Sequence, residues 1–338
     1  MVTVELIVLG VNAPERRPYR GGLGISRFRG IGPLTAHSPE DFVASATEVY
    51  SGGGVGLTTL PDGRLLRDTI ADDPPAWLGP DQLAAHGPVP ALLVKILDTR
   101  ERLFAHFHPG DGFARDVLDR PFGKTEAWAI IATDGPATAH LGFSRDVSES
   151  EVLRWFATQD REAMLSAMNG IQVSPGDTLF VPAGLPHAIG EGITLIELQQ
   201  PVDLSIILEW QGYPGLDASN ALLGLDAETA LAGLDRSAWN ADRLQQLRTS
   251  RIADDATRLF PQQADAFFRA DLHTLPCRWD ADFAVLVVLD GAGALRWAGG
   301  HVELAPGMTV LVPWGAGPTS VEGDVSVLRC RPPAPQAA

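Results

Sequence analysis

The feature that most constrains this chain is a repeat. Residues 174–189, SPGDTLFVPAGLPHAI, and residues 305–320, APGMTVLVPWGAGPTS, each place a Pro-Gly pair shortly before four strand residues and then close with Pro-x-Gly. Two copies of one strand–turn unit imply two related β domains. The copies are not chemically equal. Five positions after the second proline stands His187 in the first copy and Pro318 in the second, and a proline binds no metal. The first domain is therefore expected to carry the chemistry and the second to be structural.

A chain of 338 residues is too long for one ordinary core and comfortable for two. With 45% apolar and 20% charged residues it has the profile of a folded chain rather than a disordered one. Residues 1–90 mix short β-branched runs with Gly and Pro clusters, beginning with a strand in MVTVELIVL. Between 90 and 210 come ALLVKIL, LFAHFH, AWAIIA, DTLFVP, ITLIELQ and LSIILEW, all of strand length, so antiparallel sheet is expected. One helix interrupts them. It starts at Ser148 with Glu151 as a capping box and is expected to run to about residue 169, its apolar face carried by Val152, Leu153, Phe156, Met164, Leu165 and Met168. From 215 to 267 the chain turns Ala- and Leu-rich, as a helical connector would, and strands resume near Phe268. The organisation expected is mainly β: an N-terminal domain over 1–214, the connector over 215–267 and a C-terminal domain over 268–338.

The net charge of −16 opposes a nucleic-acid or anionic-membrane surface, and an anionic substrate would need a local cationic pocket. No run approaches the roughly 18 apolar residues of a membrane helix. The two cysteines, Cys277 and Cys330, form no CxxC pair and lie far from the histidines, which suits a reducing cytoplasm and argues against a thiolate metal site.

The chemistry gathers in three segments. LFAHFHPGD puts His106 and His108 two residues apart, hence on one face of an extended strand. The turn PAGLPH delivers His187 at a point stiffened by Pro182 and Pro186, with Gly184 free to make the bend. FGKTEAW supplies Glu126 just before an apolar strand. Three imidazoles and one carboxylate from separate segments suit Zn, Mn, Fe or Co.

These residues carry a family resemblance. HFHPGD, PFGKTEAW and PGDTLFVPAGLPHAIG followed by IELQQP resemble the type I phosphomannose isomerases, zinc-dependent proteins with two cupin (jelly-roll) β-barrels that interconvert mannose 6-phosphate and fructose 6-phosphate. The resemblance is specific over residues 90–210. It implies that His108, Glu126 and His187 are metal ligands, with His106 standing where the family usually has a glutamine ligand. It implies a substrate-side role for Lys124 and Lys95, and places Glu197 in the site. A lysine inside an apolar strand, as Lys95 is, must in any case find a partner or water. One departure stands out. Where the family carries an arginine after its Gln-Pro-Ser-Asp stretch, this chain has Ile207. Another arginine, from RGGLGISRFRG, is expected to enter the pocket, or else the substrate differs.

The function these residues imply is a metal-dependent aldose–ketose isomerase acting on a sugar phosphate through a cis-enediolate. Lys124 and Glu197 are its proton-handling groups, Lys95, Lys124 and His106 contact substrate, and zinc is the first choice of metal. A small-molecule sugar or sugar phosphate is the expected partner, and the assembly is a monomer or homodimer. An Fe or Mn cupin oxidase or dioxygenase, which the same ligand set would serve, and a noncatalytic or altered-specificity sugar-binding cupin, motivated by Ile207, remain open.

Overall fold

The computed structural model describes residues 4–249 and 257–334; the remaining residues of the expected N-terminal strand, connector and C-terminal domain lie outside them. Two facing sheets build the first half. One has six strands, in the order β12 (Arg248–Thr249), β8 (Thr178–Val181), β5 (Glu126–Thr133), β10 (Ile193–Gln199), β3 (Leu93–Thr99) and β2 (Glu40–Val43). The other has five, in the order β11 (Ile206–Ile207), β4 (His106–Phe107), β9 (His187–Ala188), β6 (Ala137–Phe143) and β7 (Met168–Val173). All pairings within them are antiparallel. The six-stranded sheet is buried on both faces over β3 and β10, which explains their unbroken apolar runs.

The second half is an eight-stranded sheet wrapped around its own core. Its path is β1 (Ile7–Leu9), β18 (Thr309–Val312), β16 (Ala284–Trp297), β19 (Thr319–Arg331), β14 (Arg269–His273) and β13 (Thr257–Arg258), with β15 (Cys277–Trp279) on β19 and β17 (Gly300–Leu304) on β16. Leu286, Val288, Val310, Val312, Val325 and Val327 fill that core. The repeat units fall on β8 and β18, and Gly176 and Gly307 sit at corresponding turns with φ of 91° and 80°. The N-terminal strand does form, but β1 pairs with β18, so the chain begins in the second sheet and crosses to the first.

Three expectations about helices need correction. Residues 1–90, whose Gly- and Pro-broken runs read as strands joined by loops, carry four short helices among the described residues, Gly24–Arg29, Leu66–Asp72, Pro74–Leu78 and Pro80–His86. The segment expected as one helix is two, Glu149–Thr158 and Arg161–Ala167, and Met168 already begins β7. The capping box at Ser148 is present, but the first helix stops at Gln159, which takes a left-handed conformation with φ of 51°. Its side chain explains the stop. Gln159 Nε2 donates to the carbonyls of Phe156 and Leu208 at 2.8 and 3.0 Å, and its Oε1 accepts from the backbone of Trp210 and Gln211 at 2.9 Å each. The connector is likewise poorer in helix than its composition suggests, with only Ala227–Leu231 and Ala241–Gln245 among the described α-helical residues from 215 to 267.

Glu209 ties the first sheet pair to these insertions. Its buried carboxylate takes a two-pronged contact from Arg102 at 2.6 and 2.7 Å, lies 2.6 Å from Arg161 Nε and accepts from the Ala105 backbone at 3.1 Å. Ala105 immediately precedes β4, so this clamp fixes the strand that bears the histidines.

Replacing Gln159 by glycine relieves the left-handed backbone yet removes four hydrogen bonds. Net destabilisation of about 1–3 kcal/mol is expected by chemical denaturation, because the lost bonds outweigh the backbone gain. An unchanged or raised midpoint would contradict this role.

Candidate metal centre

The histidines converge as the strand spacing predicts. His106 opens β4, His108 follows that strand directly, and His187 opens β9, where it is the register partner of His106. One ring nitrogen from each lies within 4.8 Å of the others. Gly184, with φ of 85°, makes the bend expected of it and donates its N–H to the His108 carbonyl at 2.7 Å, joining the two histidine-bearing segments.

Glu126 arrives from the opposite sheet at the start of β5. Its Oε2 is 2.9 Å from His108 Nε2 and its Oε1 is 3.3 Å from His187 Nε2. A glycine permits the approach: a Cβ on Gly123 would come within 2.6 Å of the Asp111 nitrogen. Gly123 N instead donates to Asp111 Oδ1 at 2.7 Å and Lys124 N to the Pro109 carbonyl at 2.9 Å, which locks the two segments side by side. Trp128, two residues along β5, donates its indole N–H to Glu126 Oε1 at 3.0 Å and packs its ring 5.6 Å from His187.

The ring orientations are settled by backbone. The Nδ1 of His106, His108 and His187 lies 2.9, 2.8 and 2.8 Å from the carbonyls of Phe104, Leu204 and Leu185. A carbonyl can only accept, so each Nδ1 donates, and in a neutral ring the Nε2 lone pair is left facing the centre. Burial, then the neighbouring histidines, holds His106 well below its ordinary pKa, and burial with Lys124 pushes His108 down to about 3. Burial opposes ionisation of Glu126, but Lys124 and His108 outweigh it and keep the carboxyl well below the usual range. Lone pairs of His108 and Glu126 thus face each other at 2.9 Å, a contact that requires a positive charge beside it. Lys124 supplies one, its Nζ 2.7 Å from Glu126 Oε2 and 3.0 Å from His108 Nε2. His187 Nε2 is buried without a hydrogen-bond partner. All four side chains are at most 4% exposed. Three imidazoles with fixed Nδ1 donors, an ionised carboxylate and an orphaned Nε2 fit a divalent ion.

The remaining expected residues form a rung across the six-stranded sheet. Lys95 is in register with Glu197, and Glu197 with Trp128, so all three point to the face that carries Glu126. Glu197 Oε2 is buried and unpartnered, and burial, reinforced by Glu126, raises its carboxyl to about 8. Lys95 is not free: its Nζ is 3.0 Å from Asp203, 3.7 Å from Glu40 and 3.8 Å from Glu197, and lies over the Phe42 ring. Arg17 adds contacts to Glu40 at 3.2 Å and to Asp203 at 3.6 Å. The sequence reading missed Asp203, Glu40 and Arg17. Arg17 lies in the charged stretch APERRPYR and Glu40 beside Asp41, so neither stands out locally, and Asp203 is marked only by its place before the apolar run LSIIL.

Ile207 pairs with His106 across β11 and β4 and lines a cavity of about 300 Å³. The arginines expected there from RGGLGISRFRG are placed elsewhere: Arg20 is exposed and outside the lining, Arg27 pairs with Asp134 and Arg29 with Asp41. The cavity is lined instead by Arg16 and Arg17, five and four residues upstream of that motif's first glycine, Gly21, together with Asp203, Ser205 and Phe104, whose carbonyl holds His106. Arg16 has a left-handed backbone with φ of 70° and no carboxylate partner among the described residues.

Comparison with known proteins places the fold. Residues 259–332 match the family model described as the cupin domain of mannose-6-phosphate isomerase. A mannose-6-phosphate isomerase of Streptococcus mutans is 37% identical over 112 residues, which is 33% of this chain and 34% of that protein. Mannose-6-phosphate isomerase ManA of Bacillus subtilis is 36% identical over a stretch with the same shares. The matched stretch thus spans about a third of these relatives' length. Structural likeness extends much further: the crystal structure of the mannose 6-phosphate isomerase from Bacillus subtilis superposes with a TM-score of 0.73 at 21% identity, covering 96% of this chain and 99% of that one. The fold is that of the phosphomannose isomerases. A lysine-to-alanine mutant of the Salmonella typhimurium phosphomannose isomerase agrees, with a TM-score of 0.73 at 17% identity over 98% of this chain and 100% of that one. Within this phosphomannose isomerase fold the three histidines form a cluster that can hold a metal ion. Among the described residues no helix is long and apolar enough to cross a membrane.

Lys95→Met leaves the ionised Glu40 and Asp203 buried with too little positive charge, and is expected to cost about 3–5 kcal/mol of stability. Burial opposes ionisation of Glu40 and Asp203, but Arg17 and Lys95 outweigh it and depress both. Their stabilisation is therefore complete above the unfolded carboxylate values of about 4 and is lost as pH falls through the depressed native ones. Melting curves taken from pH 6 downward should show the wild type losing stability below about pH 4, with a shallower loss in Lys95→Met. Parallel curves would contradict the assignment.

Proposed function

We propose that the protein is a metal-dependent aldose–ketose isomerase acting on a sugar phosphate, with mannose 6-phosphate and fructose 6-phosphate as the pair. The observation that carries this is the N₃O set of His106, His108, His187 and Glu126, with the protonated carboxyl of Glu197 on the same sheet face. Its support is the whole-length likeness to phosphomannose isomerase structures and the cupin-domain match. A neutral-imidazole-rich site with one carboxylate suits Zn²⁺ first, with Mn²⁺, Fe²⁺ and Co²⁺ also served. A divalent ion held there supplies electrophilic polarisation of the sugar oxygens.

Interconversion of an aldose and a ketose takes a proton from C2 and returns one to C1, so no atoms are gained or lost. Glu197, its carboxyl raised to about 8, takes the C2 proton in its ionised form and the acid so formed returns a proton to C1, while a hydroxyl proton passes from O2 to O1. Lys124, set between Glu126 and His108, balances the negative charge of the enediolate. Lys95 acts through its contact with Glu197 and holds that carboxyl in place rather than reaching substrate. The anionic end of the sugar lies toward the cavity beside Ile207, where Arg16 and Arg17 replace the arginine that the resemblance leads one to expect at 207.

The test is a coupled assay of metal-replete protein on mannose 6-phosphate, run in deuterated water. Turnover with deuterium entering at C1 of the fructose 6-phosphate formed is expected. No turnover on a panel of phosphorylated and free sugars, or metal-dependent oxygen uptake in its place, would overturn the reading. Glu197→Gln should lower kcat about 10²–10⁴-fold at unchanged metal content, whereas His108→Ala should lower the bound metal itself.

A further inference from the structure

The second barrel has lost the histidine of its repeat unit, yet its inner face is not purely apolar. Residues alternate sides along β19, and Val325 and Val327 belong to the barrel core, so Arg329 and Arg331 project on that same inner side. Arg329 is the register partner of Leu286, another core residue, which confirms the side. Across the sheet, Arg269, Asp271 and His273 of β14 are paired with Arg331, Arg329 and Val327 and share the face. Trp279 of β15 completes the group, with Arg329 stacked 4.7 Å over its ring and His273 5.0 Å away.

Three guanidiniums here share two carboxylates. Asp282 lies 3.3 Å from Arg329 and 3.7 Å from Arg331, and Asp271 pairs with Arg331. Arg269 contacts only the Pro332 carbonyl at 2.9 Å among the hydrogen bonds described. Four buried nitrogens of this one cluster have no partner: Arg329 Nε, Arg331 Nε, Trp279 Nε1 and His273 Nε2. Arg329 and Trp279 are 8% and 7% exposed, so solvent does not satisfy them. Burial and then repulsion from Arg331 lower Arg329 to about 10, as expected where positive charge is undercompensated. A cavity of about 210 Å³ reaches the edge of the cluster, where Arg269 and Asp282 line it together with Trp314, Pro332 and the exposed Asp81. Arg329 and Arg331 lie behind Arg269 and Asp282, which pair with or contact them, and Trp279 lies against Arg329.

We propose that the C-terminal barrel holds an anion site in which Arg269, Arg329 and Arg331, with the Trp279 indole N–H, bind the phosphoryl group of a small phosphorylated molecule. Guanidinium forks match the tetrahedral oxyanion, and unpaired buried donors on a net-acidic protein are what such a ligand would complete. The cavity limits the ligand to the size of a phosphate monoester. This site is separate from the metal centre, and its occupancy reports on a ligand-sensing role for the barrel without ligating histidine.

Equilibrium dialysis of the full chain against radiolabelled inorganic phosphate tests it. Saturable binding is expected to persist in the double variant His108→Ala/His187→Ala and to weaken about tenfold or more in Arg329→Gln and in Arg269→Gln. Arg269 makes only one backbone contact, so its variant decides the matter if Arg329→Gln does not fold. Mannose 6-phosphate should displace the label. Absence of saturable binding, binding undiminished in both folded arginine variants, or displacement by citrate but not by a phosphate monoester would overturn the proposal.

Discussion

A single buried carboxylate, that of Glu126, holds the first barrel's chemistry together. It projects from one sheet onto the imidazoles of the other and meets His108 at 2.9 Å and His187 at 3.3 Å. That approach is unfavourable unless positive charge accompanies it, because an ion buried among lone pairs loses its hydration for nothing. The surroundings are arranged accordingly. Gly123 allows the Glu126 segment to lie against the His108 segment, Trp128 donates to the oxygen that faces His187, and Lys124 stands beside the other oxygen and His108. Backbone carbonyls take every Nδ1 proton and so point three lone pairs inward. The result is a centre preorganised for a cation by elements that are otherwise ordinary sheet.

Around it lies a second layer of buried charge whose work is positional. Arg17, Glu40, Lys95, Asp203 and Glu197 join the N-terminal segment, the six-stranded sheet and the stretch before β11. Within this network Glu197 has the most distant cation, 3.8 Å from its unbonded oxygen, and it is also the one carboxyl whose burial outweighs its partners. Neighbouring acids thus take opposite protonation states, which is how one site provides both a fixed charge and a mobile proton. Ile207, in the place where the resemblance leads one to expect arginine, turns the adjoining cavity apolar on one side and leaves its positive charge to Arg16 and Arg17.

The candidate metal set was legible because each part has a local signature. Two-residue spacing on a strand puts His106 and His108 on one face, and Gly184 makes a bend that only its left-handed backbone allows. The repeat likewise announced β8 and β18. What escaped depends on register between distant segments. Pairing of β1 with β18, of Lys95 with Glu197, and of Arg269 with Arg331 cannot be read from either partner alone. The helix break at Gln159 escaped for another reason: a glutamine replaces the usual glycine, and the amide bonds that compensate reach residues 208–211.

X-ray absorption at the edge of the metal bound to the purified protein tests the central claim most directly. The account predicts a first shell of three imidazole nitrogens at about 2.0–2.1 Å and carboxylate oxygen at a similar distance, with the multiple-scattering pattern of histidine reduced by one ring in His187→Ala. A shell dominated by sulfur or by water oxygen, or one unaltered in that variant, would contradict it.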